Sequence, residues 1–231
     1  MRVLYLLFNE GYNASQGDEL IRKELCDEAI RLMKIITGNF GENASSAHAL
    51  LALMLLHRAR FYSRINDEGK LLLLQDQDRA LWDKKMISDG LDELNLSAEG
   101  ETISEYHLQA GIAACHCLAP NFRETDWERI LGLYDMLIEL NDSPVILLNR
   151  AVAISKVEGA EYGIKAIEEI KDRKQLDKYY LLYAALGDFY MALNDYENAA
   201  TNYRKALELT KVYTEQQFLA HRLSLLDQNL N

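Results

Sequence analysis

Three residues that commonly bind metals follow one another in this chain, Cys115, His116 and Cys117. Thiolate and imidazole groups are the ligands that zinc prefers. The surrounding residues have helical periodicity, and adjacent side chains of an α-helix point about 100° apart. The three groups therefore cannot reach one ion unless the helix is broken, and no second ligand pair stands at a usual zinc spacing. We predict small core residues with one partly buried histidine here, and neither a metal nor a cofactor.

A second candidate for chemistry is the polar segment QDQDRALWD at 75–83, which follows an apolar run. Paired carboxylates could perform acid–base chemistry or line a small-molecule pocket. The same residues could instead be helix caps within a buried hydrogen-bond network, or a docking surface for another domain. We favour the network, because no nucleophile or cofactor motif accompanies the carboxylates. Together with a polar pair behind the run VLYLLF, the candidate cluster consists of Asn9, Glu10, Gln75, Asp78, Arg79 and Trp82.

The remaining histidines and glycines do not form a catalytic motif. His57, His107 and His221 are far apart, and none stands in a short motif that activates a nucleophile. The segment 11–17 has neither the lysine nor the spacing of a phosphate-binding loop, so we predict a surface loop there. The sequence therefore predicts a protein that is not an enzyme.

The elements that position these residues are predicted to be α-helices, so the predicted fold class is all-α. Apolar residues recur with the helical period along almost the whole chain, and only two prolines interrupt it. The only candidate strand is 71–74, and a strand without partners is not expected. The predicted elements of the first half are helices at 3–11, 18–36, 45–63, 77–94 and 103–119, a cap at Ser45 or Ser46, a loop at 37–43 and a turn at 66–69.

The chain is predicted to have two parts. The polar run 97–101 contains a glycine and is the best candidate for a boundary. We therefore predict an N-terminal helical subdomain at 1–97. Residues 98–231 are predicted to form tetratricopeptide-like helical repeats with a C-terminal capping helix.

The C-terminal part carries a repeat signature, YAALGDFYMALNDYENAATNYRKALEL at 183–209. This residue order is that of a tetratricopeptide repeat, which folds as two antiparallel helices in ~34 residues. Small residues are predicted where the helices cross, with tyrosines on either side and an alanine where the next helix approaches. Lys211 departs from the pattern, because such repeats often have proline there. The predicted packing residues are Leu186, Gly187, Tyr190, Ala199, Tyr203 and Ala206.

Other segments extend this signature into a stack. Residues 144–170 carry a weaker copy of the hairpin pattern, and 214–226 is predicted to cap the stack against water. Stacked repeats usually present a surface to another macromolecule. Their groove would lack the positive charge that clamps a peptide carboxylate, so another part of the same chain could fill it. The residues expected to line it are Leu181, Ala184, Ala185 and Asp188.

Composition excludes several classes of partner. The formal net charge is −11, and nucleic-acid binding depends on lysine and arginine, so direct binding to DNA is not expected. Residues 1–12 are too short and too polar for a signal peptide, and runs such as 49–56 fall far short of the ~20 apolar residues that span a bilayer. The chain has 3 cysteines, an odd number, which we interpret as reduced thiols. We predict a cytoplasmic protein that contacts no membrane and binds no metal.

A series of sequence blocks carries a resemblance to a known family. They are LYLLFNEGY (4–12), ELCDEAIRL (24–32), ALLALMLLHRAR (49–60), LLLLQDQDRALWD (71–83), YHLQAGIAACHCLAP (106–120), TDWERILGLYDML (125–137) and SPVILLNRAVAISKVEG (143–159). In this order the blocks resemble the C-terminal extension of a group of bacterial extracytoplasmic-function (ECF) RNA polymerase sigma factors with tetratricopeptide-type helices. The resemblance covers nearly the whole chain.

The resemblance implies a role in transcription initiation. In that family two domains that read DNA and bind polymerase precede the extension, and none of their motifs stands in this sequence. The resemblance therefore implies an excised C-terminal part that regulates activity through its own sigma-factor domains or RNA polymerase. It would reach DNA only through the absent N-terminal domains. Two alternatives stay open, a small-molecule-sensing or enzymatic helical domain that uses the polar cluster, and a free-standing helical scaffold.

Overall fold

The structure is a computed structural model that describes residues 1–12, 21–40, 44–66 and 72–227. In these ranges the chain forms eleven α-helices and no β-strand, which confirms the prediction of an all-α fold. The helices are α1 (Arg2–Tyr12), α2 (Lys23–Phe40), α3 (Ser45–Arg58), α4 (Lys84–Ser97), α5 (Glu105–Leu118), α6 (Trp127–Leu140), α7 (Pro144–Val157), α8 (Ala160–Glu168), α9 (Tyr180–Ala192), α10 (Tyr196–Leu209) and α11 (Tyr213–Asp227). Short 3-10 turns cover Phe61–Ser63, Leu74–Asp76, Arg79–Leu81 and Arg173–Leu176.

The predicted loop at 37–43 is wrong for its first residues, because α2 continues to Phe40. The Thr37 hydroxyl donates to the Lys34 carbonyl at 3.2 Å, so this side chain is satisfied within the helix. Gly38 faces open space and adopts ordinary helical backbone. Residues 41–43 lie outside the described part of the chain.

The predicted helix at 77–94 is wrong at its N-terminal end. Helix α4 begins at Lys84, because the Asp83 carboxylate accepts a hydrogen bond from the Met86 N–H at 2.9 Å and so caps the helix. Extended backbone and the turn Arg79–Leu81 precede this cap.

The predicted cap of α3 is also wrong. Ala44 occupies the N-cap position and makes no side-chain hydrogen bond. Ser45 is the first residue of the helix, and its hydroxyl donates to the Ser97 carbonyl at 2.8 Å. Helix α3 ends at Arg58, before the predicted end at residue 63.

Other predicted elements fall partly outside the described residues. Residues 72–74 of the candidate strand contain no strand, and residue 71 is not described. Residues 67–69 of the predicted turn and residues 13–17 of the predicted surface loop also lie outside the described ranges.

The chain divides into two compact units, Met1–Asp126 and Trp127–Asn231. This division lies further along the chain than the polar run 97–101. The reason is that α5 packs against α3 and α4 within the first unit. The carbonyl of Ser97 accepts a hydrogen bond from the hydroxyl of Ser45 on α3 and lies 3.2 Å from Nε2 of His107 on α5. The polar run is therefore bonded to the first unit.

Helix α3 forms the centre of the first unit. It is apolar on all sides, as expected of a buried helix. Helices α1, α2, α4 and α5 pack around it. The side chains in this core that are at most 2% exposed include Leu50, Leu51, Leu53, Met54, Leu55 and Leu56.

The second unit is a succession of helices, α6 to α11, in which each helix packs against the next. Helices α9 and α10 approach each other closely, because the Tyr203 ring lies against Gly187. Tyr203, Ala199 and Ala206 are fully buried. Asn194 adopts a left-handed backbone with φ of 59° in the turn between the two helices. In the part of the chain that the structure describes, no helix is both long and apolar enough to cross a membrane.

Candidate functional site

The most polar part of the first unit is built around Trp82, which is only 2% exposed. We call Arg60, Ser63, Gln77, Arg79 and Trp82 the arginine–tryptophan cluster. The indole Nε1 of Trp82 donates to the Ser63 hydroxyl at 2.7 Å. The guanidinium of Arg79 lies 4.5 Å from the centre of the indole ring, and that of Arg60 lies 5.3 Å from it. Such contacts favour the charged form of arginine beside a buried aromatic ring.

Hydrogen bonds from this cluster join three segments of the first unit. Arg60 donates to the Gln77 side-chain oxygen from two nitrogens, each at 3.4 Å. The Gln77 amide donates to the Leu72 carbonyl at 3.1 Å. Arg79 donates to the carbonyls of His116 at 2.5 Å and Ala119 at 2.7 Å. The segment 72–83 is therefore fastened both to the end of α3 and to the end of α5, which is the geometry of a structural network.

Only part of the predicted polar cluster meets at this place. Arg79 and Trp82 are in contact, whereas Gln75 and Asp78 are exposed. Asp78 caps the following turn by accepting the Ala80 N–H at 2.8 Å.

The other predicted members lie on α1. Asn9 is exposed, and Glu10 pairs with Arg22 at 3.4 Å.

Sequence reasoning missed Arg60 and Ser63, although a signal was present. The apolar run of α3 ends in arginines, and a charged residue next to a fully buried helix must find a partner.

Two histidines beside the cluster are held neutral. Burial, with the positive charges of Arg60 and Arg64, lowers the pKa of His57 to about 3. Burial, with the charges of Arg60 and Arg79, lowers the pKa of His116 to about 3. Desolvation disfavours an imidazolium, and neighbouring cations disfavour it further.

The sequence Cys115-His116-Cys117 lies in α5, where consecutive side chains point in different directions. Among the described residues, no group of three His, Cys, Asp or Glu side chains is placed to hold a metal ion. All three cysteines of the chain are free thiols. Burial raises the pKa of Cys117 to about 11, so this thiol stays protonated and unreactive.

A serine–histidine contact in the first unit has the wrong tautomer for nucleophilic catalysis. Ser45 Oγ lies 2.9 Å from His107 Nε2. The backbone N–H of Ser104 donates to His107 Nδ1 at 3.1 Å, so in the neutral ring the proton is on Nε2. A base must accept the serine proton at the nitrogen that faces it, and here that nitrogen carries a proton. The contact instead links α3, α4 and α5 through the Ser97 carbonyl.

The N-cap of α4 provides a first prediction for this site. Replacing Asp83 with alanine removes the acceptor for the Met86 N–H, and we expect a loss of about 1 kcal/mol in the free energy of unfolding. Urea unfolding followed by circular dichroism measures it. Asp89→Ala is the matched control, because this carboxylate only pairs with Lys85 on the surface of the same helix. Equal losses in the two variants would contradict the capping role.

The second unit contains a groove that follows one face of α7, and we call it the α7 groove. Its volume is about 530 Å³. Helices α6 and α8 form its walls. Its floor consists of Leu147, Arg150 and Ile154 of α7, with Glu158 at the C-cap of that helix. The wall residues and the segment after α8 contribute Ile138, Asp142, Tyr162, Lys165, Ala166, Glu169, Ile170 and Lys171.

Residues of the groove predicted on α9 are contacted by another part of the same chain, helix α11. Asp188 accepts hydrogen bonds from the Tyr203 hydroxyl and from the Arg222 guanidinium on α11. Ala184 packs against a cluster that contains Leu219 and Leu226 of α11. The last helix, α11, therefore covers part of this face of α9.

Comparisons with known proteins give a family model and a relative. Residues 1–98 match the model of a family of unknown function, DUF6596. The uncharacterized protein R00370 of Rhizobium meliloti (strain 1021) is 37% identical over 221 residues, which is 96% of this chain and 52% of that protein. The chain thus spans about half the length of this curated relative.

Proposed function

We propose that this chain is the C-terminal regulatory and protein-interaction region of an ECF-type RNA polymerase sigma factor, and that it catalyses no reaction. The observation that carries the proposal is the stack of helical hairpins in the second unit, with Gly187 against Tyr203 as in a tetratricopeptide repeat. Such stacks typically bind another macromolecule through an extended surface. The ordered sequence blocks point to sigma factors as the class of protein.

The length of the Rhizobium relative is compatible with this proposal. That protein is about twice as long as the part that this chain matches, so it has room for further domains. In the proposed arrangement those domains recognise the promoter, and this region contacts them or RNA polymerase. The region would reach DNA only through them, since its own charge is −11.

The chemistry of the first unit supports a non-catalytic role. Its most polar cluster has Trp82 almost completely buried and uses Arg79 to hold backbone carbonyls. The His107 ring presents a proton, not a lone pair, to Ser45. We also propose a cytoplasmic location, where the three free thiols stay reduced.

The proposal is tested by transcription in vitro with the full-length protein that contains this region. Removing the region is expected to change promoter-specific transcription by roughly fivefold or more, the range of an ordinary coupling between domains. Binding of the shortened protein to RNA polymerase is measured in parallel. Unchanged transcription together with unchanged polymerase binding would contradict the proposal. The full-length protein with Glu161→Gln, an exposed position on α8, is the control for handling and folding.

A further inference from the structure

The α7 groove has the dimensions of a binding site for a short extended peptide. Its floor runs from Leu147 to Glu158 on one face of α7, about 16 Å at ~1.5 Å per residue. An extended chain covers this length with about five residues at ~3.3 Å each. The groove exists because α6 and α8 both pack on α7 but, within the described residues, make little contact with each other.

Apolar side chains make up half of the lining of the groove. They include Leu147 and Ile154 of α7, with Ile138 on α6 and Ile170 after α8. Tyr162 stands at the groove and is 54% exposed, so its ring is available to a partner. Apolar side chains of a peptide would be removed from water here, at ~25 cal/mol for each Å² buried.

The charges of the groove define which peptide fits. Arg150 is paired with Asp135, its Nε lying 2.6 Å from Oδ1, and Lys165 lies 4.0 Å from Glu169. Among the described residues, no ion pair forms at Asp142 or Glu158.

These two carboxylates stand at opposite ends of α7, one just before its first turn and one at its C-cap. Lys171 is the one lining cation that forms no ion pair with the described residues, so two unpaired carboxylates face one unpaired cation. A peptide with a basic residue at each end and apolar residues between them is complementary to this pattern.

We propose that the α7 groove binds an extended segment of about five residues with lysine or arginine at both ends and an apolar centre. This inference rests on the proposed protein-interaction function and names the kind of partner segment that the region recognises. The carboxylates of Asp142 and Glu158 pair with the two basic ends, and Leu147 and Ile154 contact the apolar centre.

Nuclear magnetic resonance of the ¹⁵N-labelled full chain tests the proposal with two blocked pentapeptides, KLALK and ELALE. We expect KLALK to shift amide resonances around the α7 groove and ELALE to leave them unchanged. Glu158→Gln is expected to weaken KLALK binding roughly two- to fivefold, the contribution of one exposed ion pair. Glu161→Gln is the matched control, because it removes the same charge from the exposed surface of α8 outside the groove.

Several outcomes overturn the inference. These are no binding of KLALK, equal binding of both peptides, shifts that lie outside the groove, or equal weakening by Glu158→Gln and Glu161→Gln. If KLALK does not bind the α7 groove, the transcription test still stands. Removing the whole region can change promoter-specific transcription without that peptide site. The opposite pattern, groove binding of KLALK with unchanged transcription and polymerase binding, would contradict the sigma-factor role and keep the peptide site.

Discussion

Replacing Gly187 with alanine is expected to lower the free energy of unfolding of the second unit by about 3 kcal/mol. A Cβ at this position would lie 2.5 Å from Cε1 of Tyr203 and 2.6 Å from Cδ1. The ring cannot move aside easily, because it is fully buried and its hydroxyl is held by Asp188. Helices α9 and α10 must therefore separate, which exposes the packed faces of both. Urea unfolding by circular dichroism measures the loss, and hydrogen exchange of α9 and α10 amides assigns it to this hairpin.

Gly132→Ala is the control for this substitution. Gly132 lies in the middle of α6, and nothing stands within 4 Å of the position that its Cβ would take. Alanine is favoured over glycine inside a helix, so this variant is expected to gain up to about 1 kcal/mol. A loss of similar size in both variants would show that the contact with Tyr203 does not determine the cost.

Acidification is expected to destabilise the first unit by roughly 2 kcal/mol for each of His57 and His116 between pH 6.5 and pH 5. Burial and neighbouring arginines lower the pKa of both histidines to about 3 in the folded chain. In the unfolded chain each has an ordinary pKa of about 6.5. The unfolded state therefore takes up protons first, so stability is complete above pH 6.5 and falls as the pH drops toward 3. Urea unfolding at a series of pH values gives the slope.

Substitutions of the histidines separate this effect from general acid denaturation. The double variant His57→Gln and His116→Gln removes both titrating groups, and we expect a much smaller loss between pH 6.5 and pH 5. His221→Gln is the control, because this exposed side chain on α11 stays hydrated in the folded and the unfolded state. An unchanged slope in the double variant would show that other groups cause the acid sensitivity.

Local residue order was enough to predict the helical hairpin of the second unit. Gly187 and Ala199 are small for steric reasons that act within one hairpin, and a hairpin brings together residues that are near in sequence. The same reasoning failed at 37–43, where Gly38 and Gly41 indicate a loop, because α2 continues through Thr37 and Gly38 to Phe40. Within α2 both residues are tolerated, since Thr37 finds its hydrogen bond on the preceding turn.

The polar cluster shows the opposite case. The sequence pointed to polar residues in apolar surroundings, but it could not tell that Gln77, not Gln75, is buried. It also could not find Arg60 and Ser63 as partners of Trp82, because these contacts join segments that are distant in sequence.

By itself, the sequence determined the all-α class and the helical hairpin of α9 and α10, because helical periodicity and steric fit between neighbouring helices are local properties. Only the tertiary structure decided which polar groups are buried together, where the chain divides into two units, and that Arg222 of α11 reaches Asp188 on α9. It also decided that a groove opens along α7. These features depend on how whole helices pack, and packing is set by the summed contacts of many side chains that no single segment contains.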